Sequence, residues 1–544
     1  MREGENSLSK EPHYPRYGQP RLVSILLVAL LASSSLLFLS LYPGLKAPPP
    51  AWPVPYCNQR HTLCQIGRYP ETSPEVLWNV SIDTLEPNLT VTDMFIVSSD
   101  LNRDGYLEIL IPVNTVTYRR VSPYIGGSIP WIDRGGVLCL DRRGFFRWLY
   151  LNNGDYPIPQ ITYVVDVFGD SNPEAVVLYR YLAEQVCLDG SGKEISHLRM
   201  VGEDGKCVFH PYLVFSDIGQ DGHLEGMNVY DGVFYVHDYD DENYLQAYQI
   251  ECLKELSVSS EFGPLLSAAD VDSDGTCEVI AILFNKTRLW SDELYTNYLC
   301  CIEPPDHVEW LCELPYEDLV RRLAITDLDG DDYYEILVLF FEGQLLCYDA
   351  SGCLLWTRTN DSYTQIAVAE LSNCSFIIAT AGNNVQCLGP DGKLIWCKAL
   401  PGLFGHYLNV AVSPDSDTFQ ILVKCYRYVY KYRNEKYTGD LYQHICCLNA
   451  SGELLWNLSL ITRDIFGHPD APISTFISVD LDNDGVLEIV YPYHRHIICL
   501  GRPKQRVALT AATLLTILAL CGTLALVNRK EFYTLRKLSR GVKQ

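Results

Sequence analysis

Positive charge is scarce in this sequence of 544 residues. Lysine and arginine number 42 against 67 aspartates and glutamates, which leaves a formal net charge of −25 at pH 7. The end segments 1–21 and 528–544 carry +1 and +5, so the middle of the chain carries about −31. Nucleic-acid binding relies on lysine and arginine against phosphates, and no basic patch with interleaved aromatic residues occurs. The charge balance excludes nucleic acid as a partner and favours bound cations.

Recognisable catalytic motifs are absent as well. The sequence contains no Gly-x-Ser-x-Gly nucleophile elbow, no His-Glu-x-x-His helix and no phosphate-binding loop. The pair His494 and His496 is better explained as part of a strand face than as a metal site. We therefore assign no catalytic residue and expect no enzymatic activity.

Zinc-binding cysteine spacings are missing, although the chain has 20 cysteines. Many of them lie in short apolar runs, where we expect small buried thiols that face a sheet. Cys57 and Cys64 are close enough in sequence to form a disulfide in an oxidising compartment. Vicinal disulfides within the adjacent pairs 300–301 and 446–447 are disfavoured, because neighbours in a strand point to opposite faces.

One nine-residue pattern occurs four times. Oxygen-bearing side chains occupy positions 1, 3, 5 and 9, and an aliphatic run follows at once. Ca²⁺ takes about six to eight oxygen ligands, which alternate residues of a tight loop can supply. We predict a structural Ca²⁺ site in each copy, with the ligands Asp100, Asn102, Asp104, Glu108, Asp270, Asp272, Asp274, Glu278, Asp327, Asp329, Asp331, Glu335, Asp480, Asp482, Asp484 and Glu488.

The spacing of this loop differs from that of an EF-hand, because the closing acid stands at position 9 rather than 12. Glycine at position 6 permits a sharp turn that a residue with a Cβ atom resists. Asp332 takes that position in the third copy, so we expect a strained or different turn there. The aliphatic runs predict short buried strands. An acidic solvated turn without metal is the alternative interpretation.

Three weaker copies fill the gaps between the strong ones. The copy 217–225 lacks the oxygen at position 3, and we expect weak binding there through Asp217, Asp221 and Glu225. The copy 166–174 keeps the acids at positions 1, 5 and 9. The copy that begins at Glu370 keeps little beyond the following strand, and we expect no site in it.

A second pattern alternates with the first. An Asp or Asn turn places a glycine four residues before a tryptophan at 144/148, 352/356, 392/396 and 452/456. Such a turn joins two strands, with glycine in the left-handed conformation and tryptophan in the second strand. Degenerate copies end at Ile195 and Trp310, and Trp78 ends a copy whose beginning is missing.

The two patterns together define a repeating four-stranded unit. Acidic loops or their remnants begin near residues 100, 166, 217, 270, 327, 370, 410 and 480, which makes eight units of roughly 40–70 residues. This spacing is typical of β-propeller blades. The unit at 409–419 has no recognisable acid ligands, so seven blades are the alternative to the favoured eight. We expect the ends of the array to meet and close the ring.

The acidic loops with their aliphatic strands resemble the FG-GAP/VCBS repeats of integrin-alpha-like β-propellers, over about residues 78–500. The glycine–tryptophan turns are more similar to those of quinoprotein propellers. The first resemblance implies an all-β propeller whose Ca²⁺ ions stiffen hairpins on one face, with positions 1, 3, 5 and 9 as ligands. It implies no particular partner.

Two uncharged apolar stretches flank the repeats, at 22–42 and 507–527, and each is long enough to cross a bilayer as a helix. Their basic flanks place both termini in the cytoplasm. The predicted order is therefore a tail (1–21), a transmembrane helix (22–42), a proline-rich stalk (43–77), a propeller ectodomain (78–503), a transmembrane helix (507–527) and a basic tail (528–544). A cleaved signal peptide is the alternative for the first stretch.

We accordingly expect a propeller anchored in the plasma or cytoplasmic membrane that binds an extracytoplasmic protein or glycan. Seven Asn-x-Ser/Thr sequons would carry glycans at exposed positions in a eukaryotic cell. Two alternatives stay open. One is an extracytoplasmic propeller enzyme, quinoprotein-like or hydrolytic, and the other is a sensor ectodomain that lacks its output domain.

Overall fold

The computed structural model describes residues 62–502, apart from 87, 93–95, 123–124, 153–158, 180–183, 200–212, 219–221, 231–232, 240–243, 254–255, 259–264, 286–295, 360, 373, 401–403, 414–417, 434–435, 463–475 and 494. The two predicted membrane spans and both tails lie outside these residues. Within them, the helices are two short 3-10 turns, Ile82–Thr84 and Glu251–Leu253. No described helix has the length and apolar character needed to cross a membrane.

The described strands form eight sheets, which are the blades of an eight-bladed β-propeller. Blades 1 and 2 contain β3 (Leu89–Val91), β4 (Val97–Ser99), β5 (Glu108–Ser122), β6 (Ile125–Leu140) and β7 (Phe146–Asn152), then β8 (Pro159–Val165), β9 (Glu174–Tyr179), β10 (Glu184–Leu188) and β11 (Glu194–Arg199). Blades 3 and 4 contain β12 (Val214–Ser216), β13 (Glu225–Tyr230), β14 (Val233–Asp238) and β15 (Tyr244–Gln249), then β16 (Leu256–Val258), β17 (Leu266–Ala269), β18 (Glu278–Asn285), β19 (Asn297–Glu303) and β20 (His307–Glu313).

Blades 5 to 8 repeat the plan, and the last two recruit strands from the N-terminal segment. Blades 5 and 6 contain β21 (Val320–Thr326), β22 (Glu335–Phe340), β23 (Leu345–Tyr348) and β24 (Leu354–Arg358), then β25 (Tyr363–Glu370), β26 (Ser375–Ala381), β27 (Asn384–Leu388) and β28 (Leu394–Ala399). Blades 7 and 8 contain β1 (Cys64–Ile66), β29 (Phe404–Val412), β30 (Phe419–Arg433), β31 (Lys436–Asn449) and β32 (Leu454–Thr462), then β2 (Glu75–Ser81), β33 (Ile477–Val479), β34 (Glu488–Tyr493) and β35 (His496–Gly501).

The aliphatic runs that follow the acidic loops form the second strand of their blades, as the sequence predicts. In blade 5, every residue of β22 is buried, whereas the outermost strand β24 is mostly half-buried or exposed. Burial of whole runs is expected for strands that neighbouring blades cover on both faces. The weak unit at 409–419 also forms a complete blade, blade 7, which decides in favour of eight blades over seven.

The two ends of the repeat array meet in blade 8 and close the ring, which confirms that expectation. β2 pairs antiparallel with β35, in register Val76↔Leu500 and Trp78↔Cys499. Because β2 fills the outermost place of the last blade, that sheet is completed by a strand from the far end of the repeat array. Closure of this kind leaves no long exposed sheet edge.

The N-terminal segment 62–74 runs from the inner edge of blade 7 to the outer edge of blade 8. β1 lies within the predicted stalk 43–77 but pairs in parallel with β29, the innermost strand of blade 7. The segment then passes the acidic loop of blade 8, where the Leu487 N–H donates to the Arg68 carbonyl at 2.8 Å. It ends at β2. Blades 7 and 8 are therefore joined by the same stretch of chain.

A β-bulge recurs in the outermost strand of seven blades. In blade 1, Leu140 pairs with Phe146 and Cys139 with Trp148, so Arg147 is the extra residue. Bulges of this kind change the direction of a side chain. We call the extra residue of each blade the bulge residue, and the set is Leu77, Arg147, Ile195, Glu309, Leu355, Ile395 and Leu455.

The tryptophans of the outermost strands donate hydrogen bonds to the turn of the next blade or, for Trp456, to the N-terminal segment that leads to blade 8. Trp356 of blade 5 donates its indole N–H to the Pro390 carbonyl of blade 6 at 2.9 Å, and its ring covers Gly392 in the same turn. A Cβ atom on Gly392 would lie 2.7 Å from the ring, and the glycine has a φ of +70°. The same indole contact is made by Trp78, Trp148, Trp310, Trp396 and Trp456.

The cysteines of the third strands follow the same register. Each pairs with the residue that closes the bulge, a tryptophan in six blades and Ser196 in blade 2. The seven thiols are buried and free, and they belong to Cys139, Cys187, Cys301, Cys347, Cys387, Cys447 and Cys499. Cys300 and Cys446, the other members of the two adjacent pairs, are also buried and free. Cys57 lies outside the described residues, so its pairing with Cys64 stays a prediction.

Candidate metal centres

The four strong acidic loops join the first and second strands of their blades and share one face of the propeller with the glycine–tryptophan turns. The closing glutamate begins the second strand in each case, as Glu278 does in β18. The loops lie at 100–107 in blade 1, 270–277 in blade 4, 327–334 in blade 5 and 480–487 in blade 8.

A common hydrogen-bond scheme folds each loop around its acids. In blade 4, Asp270 accepts the backbone N–H groups of Asp274 and Gly275, both at 3.0 Å. Oε2 of Glu278 accepts the N–H of Val271 at 2.7 Å. The other three loops repeat these contacts. Backbone donors thus fix the carboxylates at positions 1 and 9.

The third loop keeps the turn despite its missing glycine. Asp332 stands at position 6 with a φ of +71°, close to the +83° of Gly105 in blade 1. Aspartate tolerates the left-handed region better than most residues. Position 4 is also left-handed, and here the third loop has Gly330 where blades 1 and 4 have Arg103 and Ser273. The turn expected to be strained or different is therefore retained, with its glycine moved by two positions.

Three of the loops bring their acids together at a distance that suits Ca²⁺. Two oxygens on opposite sides of this ion are separated by about 4.6–5.2 Å, twice the usual bond length. Within the described part of the chain, groups of acids whose ligand atoms all lie within 4.8 Å of one another occur in blades 4, 5 and 8. They consist of Asp270, Asp272, Asp274 and Glu278, of Asp327, Asp329 and Glu335, and of Asp480, Asp482 and Glu488.

The closing glutamates show the electrostatic cost of this convergence. Burial, followed by the charges of neighbouring loop aspartates, raises the pKa of Glu335 to about 7. The same causes raise the pKa of Glu488 to about 9. The pKa of Glu278 is raised to about 7, chiefly by burial. Clustered carboxylates without a cation repel one another, so a divalent ion would relieve all of these sites.

The blade 1 loop has the same scheme but only three acids, because Asn102 stands at position 3 where the other loops have an aspartate. These three acids, at positions 1, 5 and 9, are not among the described groups that lie within 4.8 Å, and neither is the position-5 acid of blade 5 or blade 8. Asn102 donates its side-chain N–H to Oε1 of Glu108 at 2.7 Å. The guanidinium of Arg147 lies 3.6 Å from Asp104 Oδ2 and 3.8 Å from Glu108 Oε1. Burial and Asp104 raise the pKa of Glu108 to about 7, while Arg147 acts to lower it.

The weaker copies keep part of the scaffold. In blade 3, Asp217 accepts the N–H of Gly222 at 2.9 Å and Glu225 that of Ile218 at 2.8 Å. Asp221, the third expected ligand, lies outside the described residues. In blade 2, Glu174 accepts the N–H of Val167 at 3.1 Å. Neither copy forms a converging group among the described acids.

The sequence patterns do not reveal the bulge residue beside each loop. Arg147 lies over the loop of blade 1, and Glu309 of blade 4 raises the pKa of Glu278 through its charge. In blade 8, a Cβ atom on Gly501 would touch both Leu77 and Glu488, so the bulge residue and the closing acid flank the same glycine. The available signal is positional, because the bulge residue directly precedes the tryptophan.

No protein-family model matches the chain, and no curated protein sequence matches it. Among solved structures, 321 chains match. They include the Dos1 propeller, at 8% identity over 79% of this chain and 95% of that one, with a TM-score of 0.40. Saccharomyces cerevisiae Sqt1 is 9% identical over 73% and 93%, with a TM-score of 0.46. The quinohemoprotein alcohol dehydrogenase of Comamonas testosteroni is 9% identical over 84% and 82%, with a TM-score of 0.35. These likenesses concern the fold alone.

Proposed function

We propose that this chain is a membrane-anchored, extracytoplasmic propeller that binds a protein or glycan partner and carries structural Ca²⁺ in FG-GAP-like loops. The observation that carries the proposal is the convergence of acids in blades 4, 5 and 8 at a spacing that fits the ion. Asp272, Asp329 and Asp482 supply the position-3 oxygens, and the closing glutamates complete the sets. The bound ions stiffen the hairpins between the first two strands.

Ca²⁺ has a structural role in this proposal because the loops are part of the blade hairpins. The ligands at positions 1 and 9 are held by backbone N–H groups of their own loop, as Asp327 and Glu335 are in blade 5. An ion that binds only this folded arrangement stabilises it, by about 2.7 kcal/mol per site at a hundredfold excess over Kd. The partner then binds to a surface that the ions keep rigid.

The last strand of the propeller, β35, ends on the face that carries the acidic loops, and in our proposal the chain continues from there to the second membrane span. β35 ends at Gly501, where a Cβ atom would lie 2.8 Å from Glu488 Cγ. The second apolar stretch begins at Val507, and a chain of six residues spans at most about 21 Å. In the proposed arrangement, the acidic face is held near the bilayer and the opposite face is open to the partner.

The Ca²⁺ part is tested by thermal unfolding of the full chain in detergent, with Ca²⁺ or with EDTA, together with elemental analysis of the bound metal. We expect a higher Tm in Ca²⁺ and the loss of one ion in Asp329→Ala. Glu313→Ala is the control, because it removes an exposed acid of β20 that is distant in sequence from every loop. An unchanged Tm and a metal-free chain would refute structural Ca²⁺.

The topology is tested by glycosylation in microsomes. The sequon residues Asn79, Asn88 and Asn457 are exposed on the propeller. A luminal propeller is therefore glycosylated and gives several bands on a denaturing gel, which glycosidase treatment reduces to one. Each Asn→Gln substitution removes one of these bands. A chain that inserts in the membrane and gains no glycan would show the opposite topology.

The partner class is tested separately. Immobilised glycans and cross-linking on intact cells distinguish a sugar from a protein, and each is repeated in EDTA. If neither captures a specific ligand in the presence of Ca²⁺, the binding part of the proposal fails while the structural Ca²⁺ sites stand.

A further inference from the structure

The bulge residue occupies equivalent positions in blades 1, 4, 5 and 8. The bulge places it one residue before the tryptophan. In blade 1, the guanidinium of Arg147 lies 3.6 and 3.8 Å from two loop carboxylates. The structure therefore puts a positively charged side chain next to the loop of blade 1.

The bulge residues of the other three strong blades, Glu309, Leu355 and Leu77, carry no positive charge. Blade 1 alone of these four has an arginine at the bulge. Blade 1 otherwise has the same backbone hydrogen bonds to Asp100 and Glu108 as the other three blades.

We propose that Arg147 takes the place of Ca²⁺ in the loop of blade 1. This inference rests on the proposed Ca²⁺ function and changes its stoichiometry, from four ions to three. A guanidinium beside Asp104 and Glu108 supplies the positive charge that these acids require. A divalent ion at the same centre would lie within a few ångströms of that guanidinium, and like charges at this separation repel strongly.

Glu309 has the opposite effect in blade 4. Its carboxylate accepts a hydrogen bond from the Cys301 thiol at 3.3 Å, and its negative charge acts on Glu278 of the loop. Additional negative charge strengthens attraction for a cation. The blade 4 site is therefore the tightest of the three, and Glu309→Leu weakens it by about tenfold.

The experiment compares ion counts in the full chain, purified in detergent and equilibrated with Ca²⁺ alone. Arg147→Leu gives blade 1 the bulge residue of blade 5, and Arg147→Gln is a second variant that keeps a polar side chain. Arg143→Leu is the matched control, since Arg143 is an exposed arginine in the turn that directly precedes β7, the strand of Arg147. Elemental analysis counts the ions, and thermal unfolding in EDTA measures stability without them.

We expect three ions in the wild type and in Arg143→Leu, and four in both Arg147 variants. In EDTA, the Arg147 variants unfold at a lower temperature than the control, and Ca²⁺ restores them. Four ions in the wild type, or three in the Arg147 variants, would overturn the proposal. A chain without ions in every variant refutes the Ca²⁺ function itself. The EDTA arm then decides the role of Arg147, because equal Tm values for Arg147→Gln and Arg143→Leu would show that it serves no loop as a cation.

Discussion

Gly392→Ala tests whether the tryptophan contacts hold neighbouring blades together. The residue has a φ of +70°, and its new Cβ atom would lie 2.7 Å from Cδ2 and 2.8 Å from Cε3 of Trp356. The backbone conformation alone costs about 1–2 kcal/mol for alanine. The indole must also move, and loss of its hydrogen bond to Pro390 costs about 1 kcal/mol more.

The matched control is Gly382→Ala. Gly382 has a φ of +60° and nothing within 4 Å of the added atom, so it carries the backbone cost without the clash. Differential scanning fluorimetry of the full chain at fixed Ca²⁺ measures both variants. A loss of about 1 kcal/mol in the free energy of unfolding lowers the Tm of a chain of this size by about 1 °C. The Tm of Gly392→Ala is therefore lower by about 3 °C and that of the control by about 1–2 °C.

A double-mutant cycle separates the clash from other effects. In a Trp356→Ala background the ring is gone, and Gly392→Ala then costs no more than the control. Equal shifts for Gly392→Ala and Gly382→Ala in the wild-type background would refute the inference that Trp356 bonds blade 5 to blade 6. Additive losses in the double mutant would refute it as well, since contacting residues are coupled.

Three further predictions concern other parts of the ring. Alkylation of the native chain labels the exposed Cys252, Cys353 and Cys397 and spares the buried third-strand thiols, which mass spectrometry maps; equal labelling would contradict their burial. Burial lowers the pKa of His237 to about 3. The same histidine takes up a proton below about pH 6.5 in the unfolded chain. The free energy of unfolding therefore decreases from pH 6.5 toward pH 3, by up to about 1.4 kcal/mol per pH unit. A stability difference from His237→Leu that is constant with pH would contradict this. Trp456→Phe removes the 2.7 Å hydrogen bond to the Pro70 carbonyl and speeds proteolysis of the N-terminal segment 62–74, whereas an unchanged rate would show that this bond does not hold it.

The fold could be predicted from the sequence because its information is local and repeated. Each acidic loop, aliphatic strand and glycine–tryptophan turn lies within about fifteen consecutive residues, and repetition compensates for weak copies. Even the unit at 409–419, which has no recognisable acid ligands, was counted by its spacing and forms blade 7. The convergence of acids in blades 4, 5 and 8 was likewise predictable, since side chains at alternate positions of a tight loop point to the same side.

The remaining features depend on contacts between distant parts of the chain. Trp148 was expected in its strand, but its bond to Gly190 belongs to the next blade. Arg147 was invisible as a loop neighbour, because the bulge that directs it is defined by pairing with Cys139 and Leu140. β1 has no repeat signature and was placed in the stalk, although it completes blade 7. Pairing partners of this kind are not encoded in any single window.

The tryptophan contacts are missing from two neighbouring blades, and this makes the mechanical strength of the ring uneven. Blade 2 has Ser196 in the place of the tryptophan, and the outermost strand of blade 3, β15, contains no tryptophan. The described contact between blades 2 and 3 relies instead on tyrosines. Tyr239 there accepts a hydrogen bond from Gln185, and Tyr163 accepts one from the Leu213 N–H. This joint is held by residues in or beside the inner strands and lacks a tryptophan contact at the outermost strand. Under heat or tension, we expect the propeller to separate first beside blade 3, while the remaining blades stay together.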